Sequence, residues 1–374
     1  MQLSNNVVLA CAGSGKTWGI CNDAIFQRVG TKKVLMVSYT HKGVYSLNNE
    51  YTKQNYGVVD NHVKICTWFQ FLLQELIKPY QSEFLKEINK IESCDFSQMY
   101  GEKFDKKNTR KYFLNNENDV KANNASEFAL YLNQLSGGAV LDRLEEVYSC
   151  IYIDELQDLV GRDIELLELL FLSSIKIYCV GDYKQSTLKT HNAKSNKDKC
   201  GVHVFDYVET LKNSHNLEII KSNCSRRFIQ DIANFVNMIC PSDPVISIVE
   251  ADEKAMGVYQ ILKKDVPDYI SNFKPDILRY DKRSSTMDYP ALNFGVCKGM
   301  TMKRVLIFPN KPLKAFLLNP SKKMDSPEKY YVGSTRAMYS LAFVLDKLKP
   351  NDYFENDIIE LANGEISVLK YVKT

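Results

Sequence analysis

Three strings in this 374-residue chain set chemistry-bearing side chains at fixed spacing behind short apolar runs. The first, Gly13-Ser14-Gly15-Lys16-Thr17, follows the run 7–11 and opens a helical pattern from Trp18. Its eight-residue window begins at Ala10 where Gly is usual, yet the physical requirements are met. Gly13 and Gly15 let backbone N–H groups turn inward around phosphate oxygens, Lys16 reaches the β- and γ-phosphates, and the Thr17 hydroxyl can ligate Mg²⁺. Ala12, Ser14 and Trp18 complete the stretch expected to hold nucleotide. The second string, Ile151-Tyr152-Ile153-Asp154-Glu155-Leu156-Gln157-Asp158, is an apolar run ending in adjacent carboxylates. Asp154 is placed to hold Mg²⁺, and Glu155 to polarise a water attacking the γ-phosphate, since phosphoryl transfer is mostly positioning plus charge stabilisation. The third, Cys179-Val180-Gly181-Asp182-Tyr183-Lys184-Gln185, puts Gln185 where it can sense that phosphate. A Gly-rich turn or a solvated carboxylate pair would explain the first two in isolation. The strand-like run before each string argues for a nucleotide site.

Such strings need a sheet to bring them together. The runs 7–11, 34–38, 151–153 and 175–180 are short, rich in Val and Ile, and followed by polar or Gly-containing segments, as buried parallel strands are. Ligands of a doubly wound sheet bind outside the carboxyl ends of its strands, so three such ends converge on one crevice. Amphipathic stretches such as 69–77, with Phe69, Leu72, Leu73, Leu76 and Ile77 on one face, predict helices between the strands. The polar, Lys/Asn/Glu-rich segment 82–136 predicts a helical insertion rather than sheet, and 189–199 a basic loop. The alternation resumes with 217–220, a helix over 228–239, and strands at 277–280, 305–308 and 341–345. The expected fold class is α/β, with a first domain at 1–215 and a second at 216–374.

Composition agrees with a globular protein, at 45% hydrophobic and 25% charged residues. A net charge of +3 names no polyanion partner by itself, so any nucleic-acid site must be local. The 10 cysteines form no CxxC pair and no Cys/His metal spacing, which predicts reduced thiols and a cytoplasmic location. No apolar run approaches membrane-spanning length, and the first ten residues lack the basic start of a signal peptide.

Taken in order, ACAGSGKT (10–17), SYTHKG (38–43), CTWFQF (66–71), IDELQD (153–158), VGDYKQS (180–186), SRRF (225–228), VCKGM (296–300) and YVGSTRAM (331–338) resemble the UvrD/Rep-like superfamily 1 DNA helicases. The match is to a minimal form without the large inserted subdomains. The resemblance implies two RecA-like P-loop NTPase domains with parallel sheets flanked by helices, ATP and Mg²⁺ at the interdomain cleft, and single-stranded DNA across the domain tops. It implies ATP-dependent 3′-to-5′ translocation on a single strand or a duplex with a 3′ overhang. Arg227 and Arg336 are similar to the family's two arginine fingers, which stabilise transition-state charge. Arg226 stands where the family's adenine-stacking Tyr is expected, and Lys298 and Gly299 fit the Lys-Gly of a second-domain motif. Thr40, His41 and Lys42 occupy a DNA-contacting Thr-Asn-Lys position, and Thr67, Trp68 and Phe69 a Thr-Phe-His position. Trp68 either offers a stacking face or packs the first domain. The basic clusters 103–111 and 189–199, including Lys189, either track strand phosphates or form solvated faces.

Two functions follow. One is a DNA-stimulated ATPase motor with weak or partner-dependent unwinding. The other is a nucleotide-switched subunit that binds DNA or regulates a nuclease, for example in a phage-defence complex. A nuclease or another operon-encoded protein is the expected protein partner.

Overall fold

The computed structural model describes residues 4–27, 29–58, 60–85, 90–97, 109–187, 195–322 and 324–372. Two units divide the chain, Met1–Leu9 with Lys16–Lys221 and Ala10–Gly15 with Ser222–Thr374. The architecture is α/β, each unit having a largely parallel sheet with helices packed on it.

In the first unit the apolar runs form β1 (Asn5–Ala10), β2 (Lys33–Ser38), β3 (Val63–Thr67), the two-residue β4 (Cys94–Asp95) and β5 (Val120–Lys121), then β6 (Tyr148–Ile153), β7 (Lys176–Gly181) and β8 (Leu217–Ser222). The main sheet has the order β3-β2-β6-β7-β1-β8. Its pairs β2 with β3, β2 with β6, β6 with β7 and β7 with β1 are all parallel. Strand β2 is buried at every residue after Lys33, which explains its unbroken Val-Leu-Met-Val reading.

Three expectations need correction here. Residues 217–220 were expected to open the second half, but they lie in β8, at the edge of the first sheet. The stretch 69–77 is not a uniform α-helix. It is α-helical over Trp68–Phe71 and a π-helix over Leu72–Ile77. The insertion 82–136 does contain helices Thr109–Phe113 and Ala125–Leu135, but also the parallel ladder of β4 with β5. Nor is it only a polar appendage. Phe113 stacks on Phe128 with ring centroids 4.7 Å apart, and Phe84 meets Phe128 at 5.0 Å, so its aromatic residues join the unit's core.

The second unit carries the short parallel pair β9 (Cys224–Ser225) and β10 (Ile246–Ser247), then β11 (Gly257–Leu262), β12 (Asp276–Arg279), β13 (Leu292–Asn293), β14 (Met302–Phe308), β15 (Ala337–Leu345), β16 (Phe354–Leu361) and β17 (Gly364–Tyr371). Its sheet has the order β13-β12-β14-β15-β11-β17-β16. Strands β13 to β11 in that order run parallel, whereas β17 is antiparallel to both neighbours. The sheet expected to be parallel therefore ends in an antiparallel hairpin. Ala362 and Asn363 form its two-residue turn, and Gly364 follows at φ +131°, a backbone value that favours glycine.

Candidate functional site

Strands β6, β7 and β1 are parallel neighbours, so the segments leaving their carboxyl ends sit side by side in the first unit. Asp154 follows β6, is 9% exposed, and is fixed at its backbone by donating to the Val37 carbonyl at 2.8 Å. Its Oδ1 accepts the Glu155 N–H at 3.0 Å. Glu155 has φ +60°, a left-handed backbone conformation uncommon for a residue other than glycine. The electrostatic reach of Asp154 is visible at Cys21 in the helix Lys16–Phe26. Burial pushes that thiol up to about 12, and Glu50 and Asp154 add to the shift.

A hydrogen-bonded run joins the two carboxylate-bearing strand ends. The fully buried Gln157 donates from Nε2 to Glu155 Oε2 and accepts the Asp182 N–H at 2.9 Å. Asp182 in turn accepts Gln185 Nε2 at 2.8 Å and the Lys184 N–H at 3.1 Å. Gly181 makes this possible, because a Cβ there would lie 2.5 Å from Gln157 Oε1. The sequence reading assigned Gln157 no role. Its position between the carboxylates of IDELQD was the available signal. Lys16 and Thr17, at the start of the helix after the loop Ala10–Gly15, are half-buried, and Trp18 is exposed at 56%.

The loop Ala10–Gly15 packs with the second unit. Cys11 donates its N–H to the Ser222 carbonyl at 2.9 Å and Ala12 donates to the Tyr331 hydroxyl at 3.4 Å. Gly13 accepts the Arg226 N–H at 2.8 Å, and Arg226 Nη1 reaches the Ser14 carbonyl at 3.4 Å. Gly13 and Gly15 have φ +78° and +89°. The two arginines expected as fingers meet at Thr335. Arg227 Nη1 donates to its carbonyl at 3.3 Å and Arg336 Nη2 to its Oγ1 at 3.0 Å. Arg336 is 1% exposed and also donates to the carbonyls of Val332 at 2.8 Å and Met300 at 3.2 Å. Its guanidinium thus holds the helix Pro327–Ser334 to the turn before β14, a structural duty that the sequence did not indicate.

Of the expected nucleic-acid residues, Thr40 caps the helix His41–Gln54 by accepting the Gly43 N–H at 3.0 Å, while His41 and Lys42 are exposed on its first turn. Thr67 requires correction, and of the two alternatives for Trp68 the structure bears out packing in the first unit. Thr67 is 5% exposed and spends its hydroxyl on the Gln70 N–H at 3.2 Å, while Gln70 Oε1 accepts the Thr67 N–H at 2.9 Å. This is a capping box. Trp68 is 1% exposed, packs on Phe71 at 5.5 Å and donates its indole N–H to Asp163, so it offers no stacking face here. The exposed ring beside it is Phe96, 54% exposed, which meets the part-buried Phe69 at 4.9 Å. Phe69 in turn meets Tyr39 at 5.9 Å, next to Thr40. Of this group, sequence reasoning had placed Phe69 in the Thr-Phe-His position and had given Tyr39 and Phe96 no binding role. Lys298 is buried at 9% exposure, and Gly299 sits at φ +81°. Lys189, Lys103, Lys106 and Lys107 lie outside the described residues. In the basic loop Lys199 is held over the Tyr207 ring at 4.5 Å.

No helix among the described residues is long and apolar enough to cross a membrane. Residues 50–197 match the family model of the UvrD/REP helicase N-terminal domain. No curated protein matches the chain. Among solved structures, an arterivirus nonstructural protein 10, a helicase in complex with DNA, is similar at 12% identity and TM-score 0.46, over 93% of this chain and 61% of that one.

Proposed function

We propose that the chain, whose residues 50–197 match the UvrD/REP helicase N-terminal domain model, is a UvrD-like helicase that hydrolyses ATP in response to single-stranded DNA and moves along the strand in the 3′-to-5′ direction. The observation that carries this reading is the hydrogen-bonded run Glu155, Gln157, Asp182, Gln185, which links the ends of adjacent strands β6 and β7. In phosphoryl transfer the protein mainly positions groups and stabilises charge, and a rigid carboxylate-amide array of this kind suits that work. Lys16 would hold the β- and γ-phosphates, Glu155 would orient the attacking water, and Gln185 would register the γ-phosphate. Arg227 would be the arginine that meets developing charge.

Among the described residues no three His, Cys, Asp or Glu side chains gather into a metal cage. A hydroxyl and one carboxylate suit Mg²⁺, which typically takes one or two protein ligands together with substrate phosphates. Thr17 and Asp154 are the residues that would supply them. A Mg²⁺ held by them would supply positive charge against the nucleotide phosphates.

The strand would lie on the surface formed by Tyr39, Phe69 and Phe96, with Thr40 and Lys42 toward phosphates. Base stacking on aromatic rings is sequence-tolerant and contributes about 1–3 kcal/mol per base. Lys16→Ala is expected to leave the far-ultraviolet circular dichroism unchanged while ATP turnover, with or without oligothymidylate, falls by at least about a hundredfold. Undiminished turnover in that variant would sink the reading.

The burial of Trp68 favours a second reading, a nucleotide-switched DNA-binding or nuclease-regulating subunit, because it removes one expected stacking ring. Streptavidin displacement from biotinylated oligonucleotides separates the two. Directional, ATP-dependent displacement supports the motor, and slow DNA-independent hydrolysis without displacement supports the switch.

A further inference from the structure

Asp163 lies in the first turn of the helix Arg162–Phe171, 3% exposed and outside every string with assigned chemistry. Its carboxylate collects donors from three separate segments. Oδ1 accepts the Trp68 indole N–H at 3.0 Å and the Ser126 hydroxyl, and Oδ2 accepts the Val160 N–H at 3.1 Å. Trp68 is the inward neighbour of Phe69, which belongs to the aromatic surface. Ser126 belongs to the helix Ala125–Leu135 of the insertion. Val160 follows closely on Asp158, in the connection that leaves Asp154 and Glu155.

A carboxylate withdrawn from water keeps its charge only while donors surround it, so the three segments are held to one point. The connection has little slack. Asp163 also donates its own N–H to the Val160 carbonyl at 3.1 Å, and Gly161 between them sits at φ +60°. A base stacked on Phe69 would load the short helix that carries Trp68, and the indole N–H passes that load to Asp163 and Val160.

We propose that Asp163 is a positioning residue that couples occupancy of the Tyr39, Phe69 and Phe96 surface to the carboxylate-bearing end of β6, so that strand binding and nucleotide binding change each other's affinity. This rests on the functional reading above. Linkage makes the effect reciprocal, and couplings between sites commonly fall at about 5- to 150-fold.

The test uses the full chain and equilibrium binding rather than turnover. The dissociation constant of a fluorescent ADP with Mg²⁺ is measured with and without saturating oligothymidylate, for wild type, Asp163→Asn, Trp68→Phe and the double variant. Wild type is expected to show about a tenfold ratio. Asp163→Asn should bring the ratio close to one while each ligand alone binds within about twofold of wild type. Trp68→Phe, which keeps the ring and removes the donor, should lose the same coupling, and the double variant should lose no more. A wild-type ratio retained in Asp163→Asn overturns the proposal. So does a variant in which each ligand alone weakens as much as the ratio falls, because that marks general damage. Wild type binding both ligands with no mutual effect overturns the coupling and leaves the two sites standing. Wild type binding neither overturns the functional reading, and the coupling with it.

Discussion

Within the glycine-containing loop after β1, two glycines that look equivalent in the sequence have different surroundings. Gly13 and Gly15 both have positive φ, but a Cβ on Gly13 would lie 2.5 Å from Arg227 Cβ and Ser225 Oγ, whereas on Gly15 its nearest neighbour is Arg226 Nη1 at 3.9 Å. Gly15→Ala should therefore cost only left-handed backbone strain, about 1–2 kcal/mol. Gly13→Ala must also displace β9, and fluorescent ADP binding is expected to weaken at least about tenfold more in Gly13→Ala than in Gly15→Ala. Equal affinities in the two variants would show that the contact with Ser225 and Arg227 is immaterial. Motif strings made these residues legible by type but not by burial, and Trp68 shows why. The Thr67-x-x-Gln70 capping box was readable in the sequence, and it fixes where the helix starts. From that start Trp68, Phe71 and Leu72 share the inward face at helical spacing, leaving Phe69 toward the surface. Family position left Trp68 open between a stacking face and the core, and the helix phase decides for the core. Arg336 is a similar case, since nothing in YVGSTRAM reveals that its guanidinium meets backbone carbonyls.

At the scale of elements, runs buried on both faces announced β1, β2, β6 and β7 because both sides of those strands are apolar. Strand β3 was not foreseen, and half-buried Lys64 accounts for this. Its ammonium is held by Glu75 at 2.7 Å, and Glu75, within the π-helix Leu72–Ile77, also binds Arg143 at 3.2 Å. That triad ties β3, the π-helix and the helix Ala139–Val147 together. Burial raises the Glu75 pKa, but hydrogen bonds and charge from Lys64 and Arg143 outweigh it and leave the carboxyl below its ordinary 4.5. A depressed carboxylate adds stability above its unfolded pKa and loses it as pH falls through the lower folded value. Glu75→Gln should therefore destabilise the protein by about 1 kcal/mol at neutral pH, the low end of the range because both partners are partly screened by water. The gap should close progressively below the ordinary carboxylate value. Urea denaturation of both proteins across the acid range measures it, and a gap independent of pH would assign the effect to packing instead of charge.

For the molecule as a whole, the largest core clusters of the two units matter more than total length. The first gathers the sheet and the insertion around residues such as Phe113, Phe128 and Phe171, and the second gathers Phe228, Phe235, Phe343 and the terminal hairpin. The hairpin was hidden in the sequence because β16 (FENDIIEL) mixes polar and apolar residues without regular alternation and exposes both kinds, among them Glu355 and Ile358, so it lacks the unbroken apolar signature of the parallel strands. It nevertheless completes the second core. Fully buried Phe235 lies 5.2 Å from Phe343, 6.4 Å from Phe354 of β16 and 5.7 Å from Tyr371 of β17. Phe235→Ala removes the ring that these three surround and should cost about 3–5 kcal/mol. If each core is its own cooperative unit, the loss will be local. Native-state hydrogen exchange is expected to show faster exchange for amides throughout β11, β14, β15 and β17, while amides of β2, β6 and β7 keep wild-type protection. Equal acceleration in both sets would mean that the chain opens as one body, and that its two units are not separate in stability.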